Sequence, residues 1–328
     1  MSETLIKVHV VHKETLAQDT VLLELAPDAG ATLPPFAAGS HIDVHVGMGG
    51  STFVRPYSLC NAPGAATTWQ IGVLREAQSR GGSAAVHAWL GVGSHLQVSL
   101  PRNHFPLVAG STAPGAYSLL LAGGIGITPL LAMAEQLHRD GAAFELHHCT
   151  RNLARTPFVQ RLAAAPYAAQ VHHHVDDGAA TQHLHLPAVL AAAPAGTHLY
   201  VCGPQGFMDA MLGAARAAGW PEACLHWESF GAAVLPQQGD QAFDLVLARS
   251  GRTIRVHADQ TAAQALQSEG VYLSTSCEQG VCGTCITPVL EGVPDHRDQY
   301  FTPEEQAAND QFTPCCSRAR GASLVIDL

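Results

Sequence analysis

The sequence predicts a multidomain chain: an antiparallel β-barrel, then an α/β domain with a parallel sheet, then a small mixed domain built around cysteines. Three observations carry this. The first hundred or so residues hold short alternating apolar runs punctuated by Gly, Pro and Asn, a pattern that closes into a barrel. From Tyr117 onward apolar strands alternate with long helical patterns, which indicates a parallel sheet covered on both faces. Near the carboxyl end the cysteines crowd together. A chain of 328 residues is too long for one ordinary core and divides here at residues 1–110, 111–232 and 233–328.

Composition narrows the classes further. With 47% apolar and 13% charged residues the chain can bury several cores and is globular throughout. No apolar run is long enough for a membrane span, and the start MSETLIKVHVVHKE lacks a signal segment, so a cytoplasmic address is expected. A formal net charge of -10 disfavours nucleic acid and anionic membranes as partners; an acidic surface suits a basic protein patch. Nine cysteines is an odd number, and in a reducing compartment their clustering reads as metal ligation rather than disulfide pairing.

Taken in order, the barrel strands are expected at Lys7–His12, Thr20–Leu25, His41–Val46, Val54–Leu59, Trp69–Leu74 and His95–Leu100, with a linker at Val108–Gly115. Further strand-like runs follow at Phe144–Cys149, Gln170–Val175 and His198–Cys202. A second soft segment, Gly231–Gln241, leads into a hairpin turned at Ser250-Gly251 and a short helix, Thr261–Glu269, closed by Gly270. Hairpin, helix and cysteine loop in that order resemble the β-grasp fold of plant-type ferredoxins.

Cys277, Cys282, Cys285 and Cys315 have the spacing C-x4-C-x2-C-x29-C, the ligand pattern of plant-type [2Fe–2S] clusters. Three thiolates on one tight loop and a fourth from a distant segment can hold two irons, and Gly280 and Gly283 permit the curl. Zinc is the alternative for the same thiolates, but it favours paired C-x2-C hooks, and only Cys282 and Cys285 form one. The neighbouring Cys316 competes for the role of fourth ligand. Cys60, Cys149, Cys202 and Cys224 read as small core residues.

Arg55-Pro56-Tyr57-Ser58 ends a barrel strand, and Arg80-Gly81-Gly82-Ser83 opens a helix-like stretch after it. An aromatic ring can lie against a flavin, Ser58 can hydrogen-bond its polar edge, and Arg55 can pair with a phosphate at a helix amino end. Val73, on the strand between these motifs, joins the candidate cofactor-binding residues. Together the motifs resemble those of the ferredoxin-reductase superfamily.

In the α/β region an apolar strand runs into Gly123-Gly124-Ile125-Gly126-Ile127-Thr128-Pro129 and a helix, where glycines admit a pyrophosphate, Thr128 can cap the helix and Pro129 suits its first turn. This departs from the Rossmann G-x-G-x-x-G but resembles the G-G-x-G-x-x-P turn of ferredoxin–NADP⁺ reductase relatives. Cys202-Gly203-Pro204 matches the same superfamily's motif beside the nicotinamide, and the resemblance carries that role onto these residues. It also places Glu228 and Phe230 near the flavin ring. Arg151 and Arg155 could meet a 2′-phosphate or be solvated loop charges. In the run His172-His173-His174 adjacent side chains point to opposite faces, so the three cannot ligate one metal together.

The whole chain, flavin barrel, nucleotide domain and ferredoxin in that order, resembles the phthalate dioxygenase and vanillate demethylase reductases. That resemblance implies an NADH-dependent enzyme containing a flavin, FMN with FAD as the open alternative, and a [2Fe–2S] cluster, with a Rieske-type oxygenase as electron acceptor. Ser58, Cys202, Glu228 and Phe230 are the implied catalytic residues. A cytochrome P450 or other monooxygenase is the alternative acceptor, and a non-enzymatic zinc protein the alternative from another class.

Overall fold

The structure, a computed structural model, describes residues 4–28, 31–48, 51–77, 81–111, 113, 115–230, 237, 239–275, 280, 283–298 and 300–328. It divides into two compact units, Met1–Phe230 and Gly231–Leu328.

In the first unit, strands β1 (Leu5–Ala17), β2 (Thr20–Pro27), β3 (Ser40–Met48), β4 (Ser51–Ser58) and β5 (Trp69–Leu74) precede helix α1 (Gly82–Trp89) and strands β6 (His95–Ser99) and β7 (Arg102–Asn103). They form a 7-stranded antiparallel sheet in the order β4-β3-β6-β1-β2-β5, with β7 paired to β3. A bridge between Leu59 and Ile71 brings the end of β4 onto β5 and closes the barrel. Alternate residues point inward: Val8, Val10, Leu23, Leu25, Ile42, Val44, Trp69, Ile71 and Val73 make its core, and α1 adds Ala85 and Val86.

The same unit continues with β8 (Tyr117–Gly123), α2 (Ile127–Arg139), β9 (Ala143–Thr150), α3 (Val159–Ala164), β10 (Val171–Val175), α4 (Leu186–Ala192), β11 (His198–Gly203), α5 (Gln205–Ala217) and β12 (Leu225–Ser229). The five strands are parallel in the order β10-β9-β8-β11-β12. Leu120, Ala122, Phe144 and Leu146 face α2, whereas Leu119, Leu121, Leu199 and Val201 face α4 and α5. Chain order reverses between β8 and β11, and open α/β sheets bind ligands outside the carboxyl ends of strands at such a reversal. The expected linker is anchored here: the Val108 amide donates to the Tyr200 hydroxyl at 2.9 Å.

The second unit contains β13 (Phe243–Leu247), β14 (Thr253–Val256), α6 (Ala262–Ser268), β15 (Thr287–Glu291), β16 (Pro294–Asp295), α7 (Pro303–Ala308), β17 (Gln311–Phe312), β18 (Arg318–Ala319) and β19 (Ser323–Ile326). Its mixed sheet runs β14-β13-β19-β15-β17, with β13 and β19 parallel, and α6 packs Ala262, Ala265 and Leu266 into its core. Thr261 caps α6 in a box with Gln264. This is the β-grasp arrangement anticipated from the hairpin–helix order. Among the described residues no helix is long and apolar enough to cross a membrane.

The end of the second soft segment is held by charge. Asp240 accepts two hydrogen bonds from Arg297, at 2.5 and 3.0 Å, and Arg318 lies 3.7 Å away. Arg297 also reaches Asp295 at 2.8 Å. The Arg297 hydrogen bonds hold the Asp240 carboxyl below its ordinary value of 3.8. Arg318 stays within reach of Asp240, so Arg297→Ala leaves that carboxylate one partner and should cost about 1 to 3 kcal/mol, read as a lower urea midpoint of the full chain. A carboxyl with a depressed folded-state value stabilises above the unfolded value and loses that contribution as pH falls through the folded one. The variant should therefore show less acid sensitivity below pH about 4 than the parent.

Candidate functional site

Strand alternation puts Phe53, Arg55 and Tyr57 on one face of β4, and the amino end of α1 lies over that face. A Cβ built on Gly82 would sit 2.6 Å from Arg55 Cγ and 2.9 Å from its Nε, so only glycine lets the arginine cross the helix end. A guanidinium beside the amino end of a helix makes a cradle for one phosphate. Ser83 Oγ, at the same end, accepts from the Glu76 amide at 3.1 Å. Arg80 lies outside the described residues. Tyr57 and Pro56 are half-buried, and burial raises the Tyr57 phenol while Arg55 opposes it. Val73 departs from the other candidates: its side chain is in the barrel core and its carbonyl faces the His87 ring at 3.0 Å.

At the end of β4 the buried Ser58 hydroxyl donates to Glu228 Oε2 at 3.4 Å, tying the barrel to β12. Burial pushes the Glu228 carboxyl up to about 8, against the opposing effect of the Ser58 hydrogen bond. It is a neutral acid at pH 7. Cys202 stands opposite Glu228 in the strand register, and burial, with the Glu228 carboxylate adding to it, raises its thiol well above the ordinary value. Cys202 is thus a neutral thiol and not a nucleophile. Phe230, just beyond β12, is exposed.

The two glycine motifs meet in backbone contact. A Cβ on Gly126 would overlap the Cys202 carbonyl, and one on Gly203 would lie 2.9 Å from the Gly123 Cα. Gly124 and Gly126 bound a short 3-10 turn between β8 and α2, and Pro204 caps α5 beside Gly203. Thr128 corrects an expectation. It does not cap α2, because the helix already begins at Ile127, and its hydroxyl instead donates to the Ile125 carbonyl at 3.0 Å. Its methyl packs over Gly72 of β5, while Pro129 is buried in the first turn.

One residue escaped the sequence reading. His148 on β9 sits with Nε2 3.0 Å from the Gly124 carbonyl, and burial lowers it to about 3, so the neutral ring donates and fixes the turn. Alternation within Phe144–Cys149 put it on the buried face, but a lone buried histidine carries no motif. Arg155 pairs with Asp19 at 3.7 Å, and Arg151 is exposed. Two of the expected core cysteines, Cys149 and Cys224, are only half-buried because each sits at a strand margin; Cys60 and Cys202 are buried.

In the second unit Cys285 and Cys315 are buried and unbridged, and mutual contact with Cys285 and Cys316 drives the Cys315 thiol upward. Cys277 and Cys282 lie outside the described residues. Cys316 is turned toward hydroxyls, 3.1 Å from Thr313 Oγ1 and 3.7 Å from Ser317 Oγ. Gly283 has φ 70° and a Cβ there would lie 2.5 Å from the Tyr300 ring, so the loop passes where no side chain fits. Buried thiols facing each other without a disulfide are a donor set that suits a metal cluster.

Residues 245–320 match the 2Fe-2S iron-sulfur cluster binding domain, and residues 111–225 match the N-terminal domain of dimethylamine monooxygenase subunit DmmA-like proteins. The chain is 48% identical over 324 residues to a vanillate O-demethylase oxidoreductase of Pseudomonas sp. strain HR199, covering 99% of this chain and 100% of the relative. The solved phthalate dioxygenase reductase, described as a modular structure for electron transfer from pyridine nucleotides to [2Fe–2S], superposes with a TM-score of 0.78 at 36% identity, covering 99% of this chain and 98% of that one. An intact type IV self-sufficient cytochrome P450 monooxygenase matches with a TM-score of 0.78 and 39% identity over 99% of this chain and 41% of the longer one.

The raised Glu228 carboxyl makes a pH prediction. Between the ordinary value of 4.5 and about 8 the folded chain holds a proton that the unfolded chain has released, so stability falls as pH rises through that window. Glu228→Gln should flatten this slope, read as the difference in unfolding midpoint between pH 6 and pH 9.

Proposed function

The chain belongs to the phthalate dioxygenase and vanillate O-demethylase reductase family, NADH-dependent flavin and [2Fe–2S] oxidoreductases that feed Rieske-type oxygenase or P450 systems, and from that premise we propose its residue roles and its acceptor. The flavin is FMN, its single phosphate held by Arg55 and the Gly81-Gly82-Ser83 turn. Tyr57 and Pro56 flank the ring, with Val73 contributing backbone only, and Ser58 hydrogen-bonds its polar edge. The NADH pyrophosphate takes the Gly123-Gly124 turn with Gly126, Thr128 and Pro129, and Cys202, Gly203 and Pro204 shape the nicotinamide pocket. Glu228 and Phe230 border the reacting rings, where a neutral acid and a neutral thiol leave the hydride path free of fixed charge. Cys277, Cys282, Cys285 and Cys315 ligate the irons.

Flavin and cluster, when bound, supply the conversion of a two-electron donor into single electrons. The protein supplies alignment and exclusion of water. The observation that carries the reading is the Ser58–Glu228 hydrogen bond at 3.4 Å, which joins residues 170 apart and brings the flavin motif to the carboxyl end of the nucleotide sheet. Likeness to the vanillate O-demethylase oxidoreductases supports a Rieske-type O-demethylase acting on vanillate as the acceptor. Likeness to the self-sufficient P450 favours a P450 as the second reading. Thiolate ligation of iron supports a reducing, cytoplasmic compartment. The three-domain division at 1–110, 111–232 and 233–328 belongs to the same proposal.

Purified protein should show flavin and [2Fe–2S] absorption that NADH bleaches, and should drive vanillate demethylation with a purified oxygenase component. A colourless zinc protein would end the reading, and turnover with a P450 alone would shift the acceptor. Arg55→Ala should weaken FMN by about 10- to 150-fold, since a charged hydrogen bond contributes about 1.5 to 3 kcal/mol, and mass spectrometry of the released cofactor tests its identity. Cys315→Ser should leave NADH reduction of the flavin intact while abolishing transfer to a one-electron protein acceptor; Cys316→Ser should retain both.

A further inference from the structure

The histidine run on β10 finds partners that its own strand could not provide. His172 lies opposite His147 in the β9–β10 register, and alternation places Glu145 and His147 on the same sheet face as His172 and His174. Ligand atoms of Glu145, His147 and His172 all lie within 4.8 Å of one another. The His147 and His172 rings stack with centroids 4.7 Å apart, and His147 Nε2 is 3.3 Å from Glu145 Oε2. His173 points to the other face, beside His148.

The remaining contacts orient these donors. His147 Nδ1 is 3.0 Å from His174 Nε2, a contact that holds the His147 ring with its Nε2 toward Glu145.

We propose that Glu145, His147 and His172 form a binding site for a divalent metal ion of the zinc type, with His174 as the residue that positions His147. Two imidazoles and a carboxylate are borderline donors that suit zinc, and a ligating histidine ordinarily gives its other N–H to such a partner. Exposure of His172 leaves the outer coordination positions to water. Because β10 is the edge strand of its sheet, the ion staples that edge to β9. The site uses none of the cysteines and faces away from the side of the sheet where His148 holds the Gly124 turn.

The test is equilibrium dialysis of the flavin- and iron-loaded protein against zinc sulfate, with zinc and iron per chain measured together. One zinc should bind with micromolar affinity while the iron content stays constant. His172→Ala should weaken it at least about 100-fold, and His174→Ala about 10- to 100-fold, the usual effect of losing an orienting partner. His173→Ala, on the opposite face, should bind as the parent does. Flavin and iron content report folding in each case, with Glu145→Gln standing in if the His172 variant fails to fold. No zinc uptake by the parent, or uptake that survives both His172→Ala and Glu145→Gln, overturns the proposal.

Discussion

Where β8 and β11 end side by side, backbone runs against backbone with no room for a side chain. Gly126 lies against the Cys202 carbonyl, and Gly203 against the Gly123 Cα. This approach draws the carboxyl ends of two parallel strands together where the chain order reverses, opening the crevice there with glycine on both sides. The rest of the site is hung on it. His148 pins the Gly124 carbonyl from β9, and Thr128 packs its methyl over Gly72, seating the turn against the barrel.

Charge is distributed sparingly over the same region. A guanidinium stands over the amino end of α1, where an anion is needed, while Glu228 and Cys202 are held neutral by burial. Desolvation does both jobs, because a low dielectric penalises the charged form of each acid. The second unit uses the opposite device. Asp240, Arg297 and Asp295 are paired and hydrogen-bonded, so their charges persist and lock the start of the β-grasp sheet.

The histidines follow the first pattern. His41, His147 and His148 are all depressed by burial, so the first unit carries neutral imidazoles in its interior. A neutral imidazole is a hydrogen-bond donor at one nitrogen and a ligand at the other. At Gly124 that capacity holds the glycine turn, and beside Glu145 it underlies the proposed metal site.

Local pattern was enough to name the antiparallel barrel, the parallel α/β sheet and the β-grasp fold, since alternation, strand–helix periodicity and cysteine spacing are each written in neighbouring residues. It also marked Arg55, the Gly81–Ser83 turn, both glycine motifs and Cys285 with Cys315, because each motif has a stereochemical reason that survives without neighbours. It misjudged Thr128, whose cap role depended on where α2 begins, and it passed over His148, whose partner is a carbonyl on another strand. The histidine run was rightly split between two faces, yet its partners lie on β9. Sequence alone determined which residues can turn, curl or ligate, for these are properties of the residue and its near neighbours. Only the tertiary structure decided which of them meet, since register and burial set the distances, and with them the protonation of Glu228 and the pairing of Glu145 and His147 with His172.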